Sequence, residues 1–336
     1  MKNILLIYTG GTIGMVKDDK TGSLFPFNFD SLLKEIPELK KFELNISHVS
    51  IDHPIDSSDM QPSIWVNIAE IIETHYDNTD GFVILHGSDT MAFTASALSF
   101  MLEGLAKPVI LTGSQLPIGV LRTDAKENIL SAIEIAASDK VQEVAIYFEY
   151  HLIRGNRATK VSAEEFNAFM SPNYPYLAEA GVHLRFNHSA LGHFNKEALI
   201  VKKTLDSNIA VIKFFPGISE EFIAQILNTP NLKGLVIESF GAGNIPQNKN
   251  IFSLFKKAID NGLTILNISQ CLGGGVEQGK YMNSKIFNDI GVISGHDLTF
   301  ECAVTKMMFA LGNYKHPEIK EVLALPIRGE MSNEQL

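Results

Sequence analysis

The opening stretch MKNILLIYTGGTIG constrains the chain most. Residues 4–8 form an uninterrupted apolar run of strand length that enters Thr9-Gly10-Gly11-Thr12-Ile13-Gly14 without a spacer. A strand that is apolar at every position needs cover on both faces, the situation of a parallel sheet between layers of helices. The texture recurs at Gly81–Leu85, 108–111 and 143–148, and residues 42–51 read as a further strand. Between these runs lie helical patterns: one after Asp30, whose carboxylate suits an N-cap, and others over Pro62–His75, 90–103 and 124–138. In the Pro62–His75 segment the spacing places Ile64, Ile68, Ile71 and His75 on one face. Strands alternating with helices predict an α/β fold with a mostly parallel sheet.

After His151 the texture changes, with turn residues at Gly155, Pro172, Pro175 and Gly181 and a polar stretch over 187–196. A second α/β pattern follows: strands at 209–214, 234–238 and 264–268, with helices at Glu220–Leu227, 250–261, 299–311 and 317–323. A chain of 336 residues accommodates two domains. The expected fold is therefore a larger N-terminal α/β domain over 1–187, its mostly parallel sheet flanked by helices. A connector over 188–208 and a smaller C-terminal α/β domain over 209–336 complete it.

Charge and cysteine content narrow the functions. With 28 basic against 38 acidic residues the net charge is −10, which argues against a nucleic-acid partner. No apolar run approaches the roughly 20 residues of a membrane span. Two cysteines, Cys271 and Cys302, rule out a disulfide scaffold and are expected to be buried free thiols. Without a secretory leader, the expected compartment is the cytoplasm. His75, and His183, His188 and His193 at five-residue spacing, read as polar surface or connector residues rather than metal ligands.

The turns that follow the strands carry the chemistry. The strand over 42–51 leads to Ser57-Ser58-Asp59, Leu85 to His86-Gly87-Ser88-Asp89-Thr90, and Leu111 to Thr112-Gly113-Ser114-Gln115. In a parallel sheet all these turns share the carboxyl edge, where open α/β folds bind ligands. Hydroxyls, carboxylates and bare backbone amides thus converge on one rim. The first turn lacks the Lys-Ser/Thr ending of a phosphate loop, and its glycines do not fit G-x-G-x-x-G. Its adjacent glycines Gly10 and Gly11 instead allow close approach to a developing oxyanion, with Thr12 beside them as a nucleophile needing a proton acceptor. Ser88-Asp89 and Lys160 are the candidates for that role, a desolvated lysine being able to act as a base. There is no G-x-S-x-G elbow.

Thr9–Gly14 (TGGTIG) with His86–Met91 (HGSDTM) resembles the pair of signature motifs of bacterial L-asparaginases. The resemblance covers essentially the whole chain, including Ser57-Ser58-Asp59-Met60, Gly155–Lys160 and Gly241-Ala242-Gly243-Asn244, and is nearest to the cytoplasmic type I branch. It implies hydrolysis of the side-chain amide of L-asparagine to L-aspartate and ammonia, with neither metal nor cofactor. It implies Thr12 as nucleophile, Ser88 as the second catalytic hydroxyl, and Lys160 and Asp89 as the rest of that group. Asp89 is also implied to bind the substrate ammonium and Ser57 its carboxylate. Ser58, Asp59, Gly11 and Gly87 complete the candidate substrate-binding set in this domain. Asn244 would join it from the C-terminal domain of a neighbouring subunit, in a homodimer or a dimer of dimers. Glu277 is a weaker candidate.

Three departures stand out. Ser88 replaces the threonine usual in the second signature, keeping the hydroxyl but not the methyl that restricts its rotamer. The flap segment Thr21-Gly22-Ser23-Leu24-Phe25-Pro26 has no tyrosine. In Val236-Ile237-Glu238-Ser239-Phe240, Glu238 stands where some type I members carry an arginine of an allosteric asparagine site, so little activation by asparagine is expected. The competing readings are a glutaminase-asparaginase of mixed specificity, an amidotransferase subunit and a non-catalytic amino-acid sensor. The amidotransferase would carry an extra N-terminal domain, for which a first strand at about residue 3 leaves no room. The sensor would need the clamp residues but not Thr12 paired with Ser88 and Lys160.

Overall fold

A computed structural model describes residues 1–17, 24–26, 36–192, 198–279 and 282–332. The helix expected after Asp30, the Thr21–Ser23 part of the flap and His193 lie outside the described residues. Of the flap, Leu24–Pro26 is described as a strand antiparallel to Met15–Lys17. The chain divides into two compact units, Met1–Lys203 and Thr204–Leu336.

The first unit is built on one eight-stranded sheet. Its strands are β1 (Lys2–Gly10), β2 (Leu44–Ile55), β3 (Gly81–Leu85), β4 (Val109–Thr112), β5 (Val144–Phe148), β6 (His151–Arg154), β7 (Ala178–Ala180) and β8 (Leu184–Phe186). They lie in the order β2-β1-β3-β4-β5-β6-β7-β8. The pairings from β2 through β5 are parallel; those from β5 through β8 are antiparallel. The apolar runs do what their pattern demands: Ile4, Leu5, Leu6 and Ile7 are all buried, as is every residue of β3, β4 and β5. Alternation along β1 sends Ile4, Leu6 and Tyr8 into a cluster with Ile129, Ala132 and Ile133 of helix α3 (Ala125–Ala136). Helices α1 (Pro62–His75) and α2 (Met91–Met101) pack on one another.

Sequence and structure part in several places. Strand β2 runs to Ile55, four residues beyond the expected end. The buried face of α1 is Trp65, Ile68, Ala69 and Ile72, not the stripe through Ile64, Ile71 and His75. The indole decides this, because Trp65 has the most apolar surface to remove from water and its Nε1–H finds an acceptor inside, Thr94 Oγ1 at 2.9 Å. Helix α2 ends at Met101 and not at 103, since Leu102–Glu103 pairs with Ile200–Val201 as a short antiparallel ribbon.

The second unit is a four-stranded parallel sheet, β9 (Ile209–Lys213), β10 (Gly234–Ser239), β11 (Thr264–Ser269) and β12 (Ile293–Ser294), in sequential order. Helices α4 (Glu220–Leu227), α5 (Lys249–Asp260) and α6 (Met282–Ile290) follow the first three strands, and Ile223, Phe252, Phe255 and Phe287 share one core with Ile212, Leu235 and Ile237. Helix α7 (Phe300–Asn313), capped by the Thr299 hydroxyl on Cys302 N–H, packs on β10 and β11 and is followed by α8 (Glu318–Ala324). Cys302 is buried as expected, whereas Cys271 is exposed: it follows β11 and belongs to the turn rather than the sheet.

One buried ion pair braces the first unit. Arg154, at the end of β6, donates from Nε to Glu143 Oε2 at 2.6 Å and from a terminal nitrogen to Ala190 O at 2.9 Å. Glu143 also accepts from Gly192 N–H at 2.9 Å, and the guanidinium lies 4.4 Å from the Tyr174 ring centroid. Both side chains are almost wholly buried. Removing one partner strands the other charge without water, whereas replacing both with apolar groups does not. Glu143→Ala is expected to lose about 3–5 kcal/mol in urea unfolding followed by circular dichroism, and the double variant Glu143→Leu/Arg154→Met distinctly less.

Candidate active site

The strand order runs β2-β1-β3, so the order reverses at β1 and places a topological switch point between β1 and β3, where open α/β sheets bind ligands. The turns that leave these two strands touch. A Cβ on Gly11 (φ +83°) would come within 2.4 Å of the Gly87 backbone nitrogen and Cα. A Cβ on Gly87 would come within 2.6 Å of Ser57 Cβ and Oγ. Three strand ends therefore meet through two positions where no side chain fits. Thr12 follows in the turn Thr12–Gly14, half-buried.

Ser57 opens the turn Ser57–Asp59 beyond β2, with its carbonyl accepting from Thr90 Oγ1 at 2.7 Å. Asp56 caps this turn, accepting from the Ser58 N–H and the Ser58 hydroxyl, each at 2.8 Å. Those bonds, the backbone one first, hold the Asp56 carboxyl below its ordinary range. Ser57 is buried, while Ser58 and Asp59 are exposed.

Beyond β3 lies the charged group. Lys160 Nζ donates to Ser88 Oγ at 2.8 Å and to Asp89 Oδ1 at 2.6 Å. Lys160 comes from the far side of the sequence: β6 ends at Arg154, Gly155–Arg157 turns sharply, and Thr159–Lys160 pairs with Phe169–Met170. Gly155 permits this path, since a Cβ there would lie 2.9 Å from Val144 O. The two charges differ in exposure, the lysine side chain being 16% accessible and the aspartate 64%.

Gln115 joins this group from the turn beyond β4. Its Oε1 accepts from Ser88 Oγ at 3.4 Å, and its Nε2 donates to Glu165 O at 2.9 Å, which fixes the amide's orientation. The Asp124 carboxylate in turn holds the Gln115 backbone N–H at 2.9 Å. The signal was its place, directly after the hydroxyl cluster that ends β4. Asn244, after β10, belongs to the second unit; its Oδ1 is buried without a hydrogen-bond partner among the described residues. His75 and His183 are exposed and, among the described residues, no group of three or more His, Cys, Asp or Glu is placed to hold a metal.

The asparaginase N-terminal family model matches residues 3–191, and the glutaminase/asparaginase C-terminal domain model matches 208–323. The chain belongs to the asparaginase family. It is 42% identical to L-asparaginase 1 of Escherichia coli (strain K12) over 333 residues, 98% of each chain. Among solved structures, L-asparaginase I of Vibrio cholerae O1 biovar eltor matches with a TM-score of 0.91 at 41% identity over 99% of both chains. The thermostable L-asparaginase from Thermococcus kodakarensis matches with a TM-score of 0.92 at 31% identity, over 98% of this chain and 99% of that one. The family assignment agrees with the contact between the two signature turns, TGGTIG and HGSDTM.

This asparaginase-family site contains a histidine that solvent never reaches. His86, at 0% exposure, has its pKa pushed down to about 4 by burial, against a smaller opposing effect of the Gly87 carbonyl. In the unfolded chain the same imidazole takes up its proton near pH 6.5, so between pH 6.5 and 4 unfolding binds a proton that the folded state does not. Stability is thus fully present above about pH 6.5 and falls as pH drops toward 4, by about 3 kcal/mol from this one group. The measurable consequence is a steeper acid loss of unfolding free energy in the native chain than in His86→Asn, with equal slopes above pH 7.

Proposed function

We propose that the chain hydrolyses the side-chain amide of L-asparagine to L-aspartate and ammonia, using Thr12 as nucleophile and an acyl-enzyme intermediate. The reading is carried by Lys160 meeting Ser88 and Asp89 beyond β3, in the turn whose Gly87 joins the Gly11–Ser57 junction next to Thr12. It is supported by the likeness to proteins named L-asparaginase over nearly the whole chain.

Thr12 Oγ attacks the amide carbon, its proton passing to the departing nitrogen. The C–N bond breaks, ammonia leaves, and an ester to Thr12 remains. Water then attacks the ester carbon, with Ser88 Oγ and Lys160 Nζ relaying its proton back to Thr12 as the ester bond breaks. Splitting one hard amide cleavage into two easier displacements is the gain of the covalent route. Gly11 and Gly87 supply backbone approach to the oxyanion. Asp89, whose carboxylate is largely exposed beyond its bond to Lys160, takes the substrate ammonium, and Ser57 takes the carboxylate with Ser58 and Asp59 beside it. Fixing a zwitterion at both charges is what positions its amide carbon for attack. Asn244 is proposed to join from a neighbouring subunit on its motif position, and its Oδ1 is buried without a partner among the described residues. The proposed setting is a cytoplasmic homodimer or dimer of dimers; among the described residues no helix is long and apolar enough to cross a membrane.

Purified chain is expected to release ammonia from L-asparagine. Thr12→Ala should lower kcat by at least about 10³-fold, on the scale of losing a nucleophile or its key stabiliser, while isothermal titration still detects L-aspartate binding. Near-native activity in Thr12→Ala removes the mechanism; binding without turnover in the native chain favours the sensor. L-Glutamine assayed in parallel reads specificity, since one methylene is worth only about 1–3 kcal/mol.

Glu238, on β10, faces Lys213 of β9 at 3.4 Å and offers a carboxylate no guanidinium. Initial rates against L-asparagine are accordingly expected to be hyperbolic; a sigmoidal curve that becomes hyperbolic on mutating residues beside Glu238 refutes this.

A further inference from the structure

His86 lies outside the steps above, yet the hydrogen bonds around it form a chain of one consistent polarity. Its Nδ1 lies 2.6 Å from the Gly87 carbonyl oxygen and its Nε2 lies 2.8 Å from Thr94 Oγ1. A carbonyl only accepts, so Nδ1 carries the proton. In a neutral imidazole Nε2 is then bare, and the Thr94 hydroxyl must donate to it. Thr94 Oγ1 in turn accepts the Trp65 indole N–H, which can only donate, at 2.9 Å. The chain Trp65 → Thr94 → His86 → Gly87 O has one consistent polarity and runs from α1 through α2 to the second signature turn.

Its end point is the peptide that needs external control. Gly87 has to be glycine, because a Cβ would meet Ser57, and glycine leaves its own backbone free to rotate. The Gly87–Ser88 peptide is planar and trans, so its carbonyl and N–H point opposite ways. With the carbonyl held by an imidazole at 0% exposure, the Ser88 N–H is turned from the interior toward the half-exposed rim. There it has no hydrogen-bond partner among the described residues. The same plane sets where Ser88 Oγ stands relative to Lys160 Nζ, 2.8 Å away. The backbone of His86 is itself fixed, its N–H donating to Thr112 O at 2.9 Å, while its carbonyl leaves no space for a Cβ on Gly113.

We infer that His86 is a positioning residue, held by Thr94 in its Nδ1–H tautomer, that locks the Gly87–Ser88 peptide plane and so keeps the Ser88 hydroxyl aimed for proton transfer. The inference rests on the amidohydrolase reading for its kinetic consequences but not for its tautomer. The depressed pKa agrees with it, since an imidazole that stays neutral keeps the acceptor at Nε2 that Thr94 requires.

Two measurements on the full chain test it. Histidine-selective ¹⁵N NMR without substrate should show one neutral Nδ1–H imidazole that does not titrate between pH 5 and 8 and is lost in His86→Asn. An Nε2–H tautomer at that position, or a proton taken up in that range, overturns the inference. In kinetics with L-asparagine, Thr94→Val should lower kcat roughly three- to tenfold, the worth of one net hydrogen bond, with KM changed less than about twofold. Thr94→Ser, which keeps the hydroxyl, should restore kcat, and His86→Asn, which keeps a donor near Nδ1, should exceed His86→Leu. Equal kcat for Thr94→Val and the native chain refutes the positioning role. If a variant fails to fold, the tautomer in the native chain still decides. Failure of the native chain to release ammonia counts against the amidohydrolase reading alone and leaves the NMR result standing.

Discussion

The close approach of Gly11 to Gly87, with Ser57 against the second of them, is the constraint on which the rest depends. Parallel strands lie a fixed distance apart, so side chains on their exit turns ordinarily hold those turns away from each other. Removing the Cβ at both positions lets the turns beyond β1 and β3 meet at the switch point of the sheet, and the turn beyond β2 closes against them. The strand ends are thus brought together by what the sequence omits. The same omission explains the positive φ of Gly10 and Gly11, a conformation a side chain would oppose.

Backbone freedom at a site has to be taken up somewhere, and here the buried polar pairs do so. Arg154 and Glu143 hold the end of β6 and the 190–192 segment in one cluster, and the sharp turn that follows Arg154 delivers Lys160. Asp124 holds the Gln115 backbone, whose side chain meets Ser88. Neither carboxylate faces substrate in the proposed chemistry. Both are costly to bury and pay their way by removing alternatives, the use of buried polar contacts that best fits a site built from loops.

How much of this was legible follows from which interactions are local. Strands β1 and β3 to β5 announce themselves because burial on both faces writes an unbroken apolar run. The antiparallel strands β7 and β8 do not: each is three residues long and partly exposed, β7 being defined by pairing with β6 and β8 by pairing with β7 rather than by pattern. Helix α1 was legible as a helix but its inward face was not, because Trp65 is placed by a hydrogen bond to Thr94 on another helix. Cys271 looked like a core thiol until the end of β11 put it in a turn. At the candidate site, Thr12, Ser57, Ser88 and Asp89 stood out in the sequence on strand exits and Lys160 on a loop, and the structure joins Lys160 to Ser88 and Asp89. The contacts of Gln115 and His86 were not legible, since they are hydrogen bonds made across 27 positions of chain from Ser88 to Gln115 and eight from His86 to Thr94.

The unequal burial of Lys160 and Asp89 gives the site its direction. An ion pair exposed evenly would present both charges to water and discriminate little. Here the ammonium is drawn inward, where Ser88 Oγ accepts from it, while most of the carboxylate faces out. In the proposed chemistry an incoming zwitterion would meet the carboxylate with its own ammonium, while the Ser88 hydroxyl stays on the inner side beside Lys160. On the positioning role inferred for His86, the Gly87–Ser88 peptide links that arrangement to the neutral state of the imidazole beneath it. A charged imidazole would have no lone pair for Thr94, and the chain of donors reaching back to Trp65 would lose its direction. Burial keeps His86 neutral, and neutrality keeps the chain polarised toward Gly87.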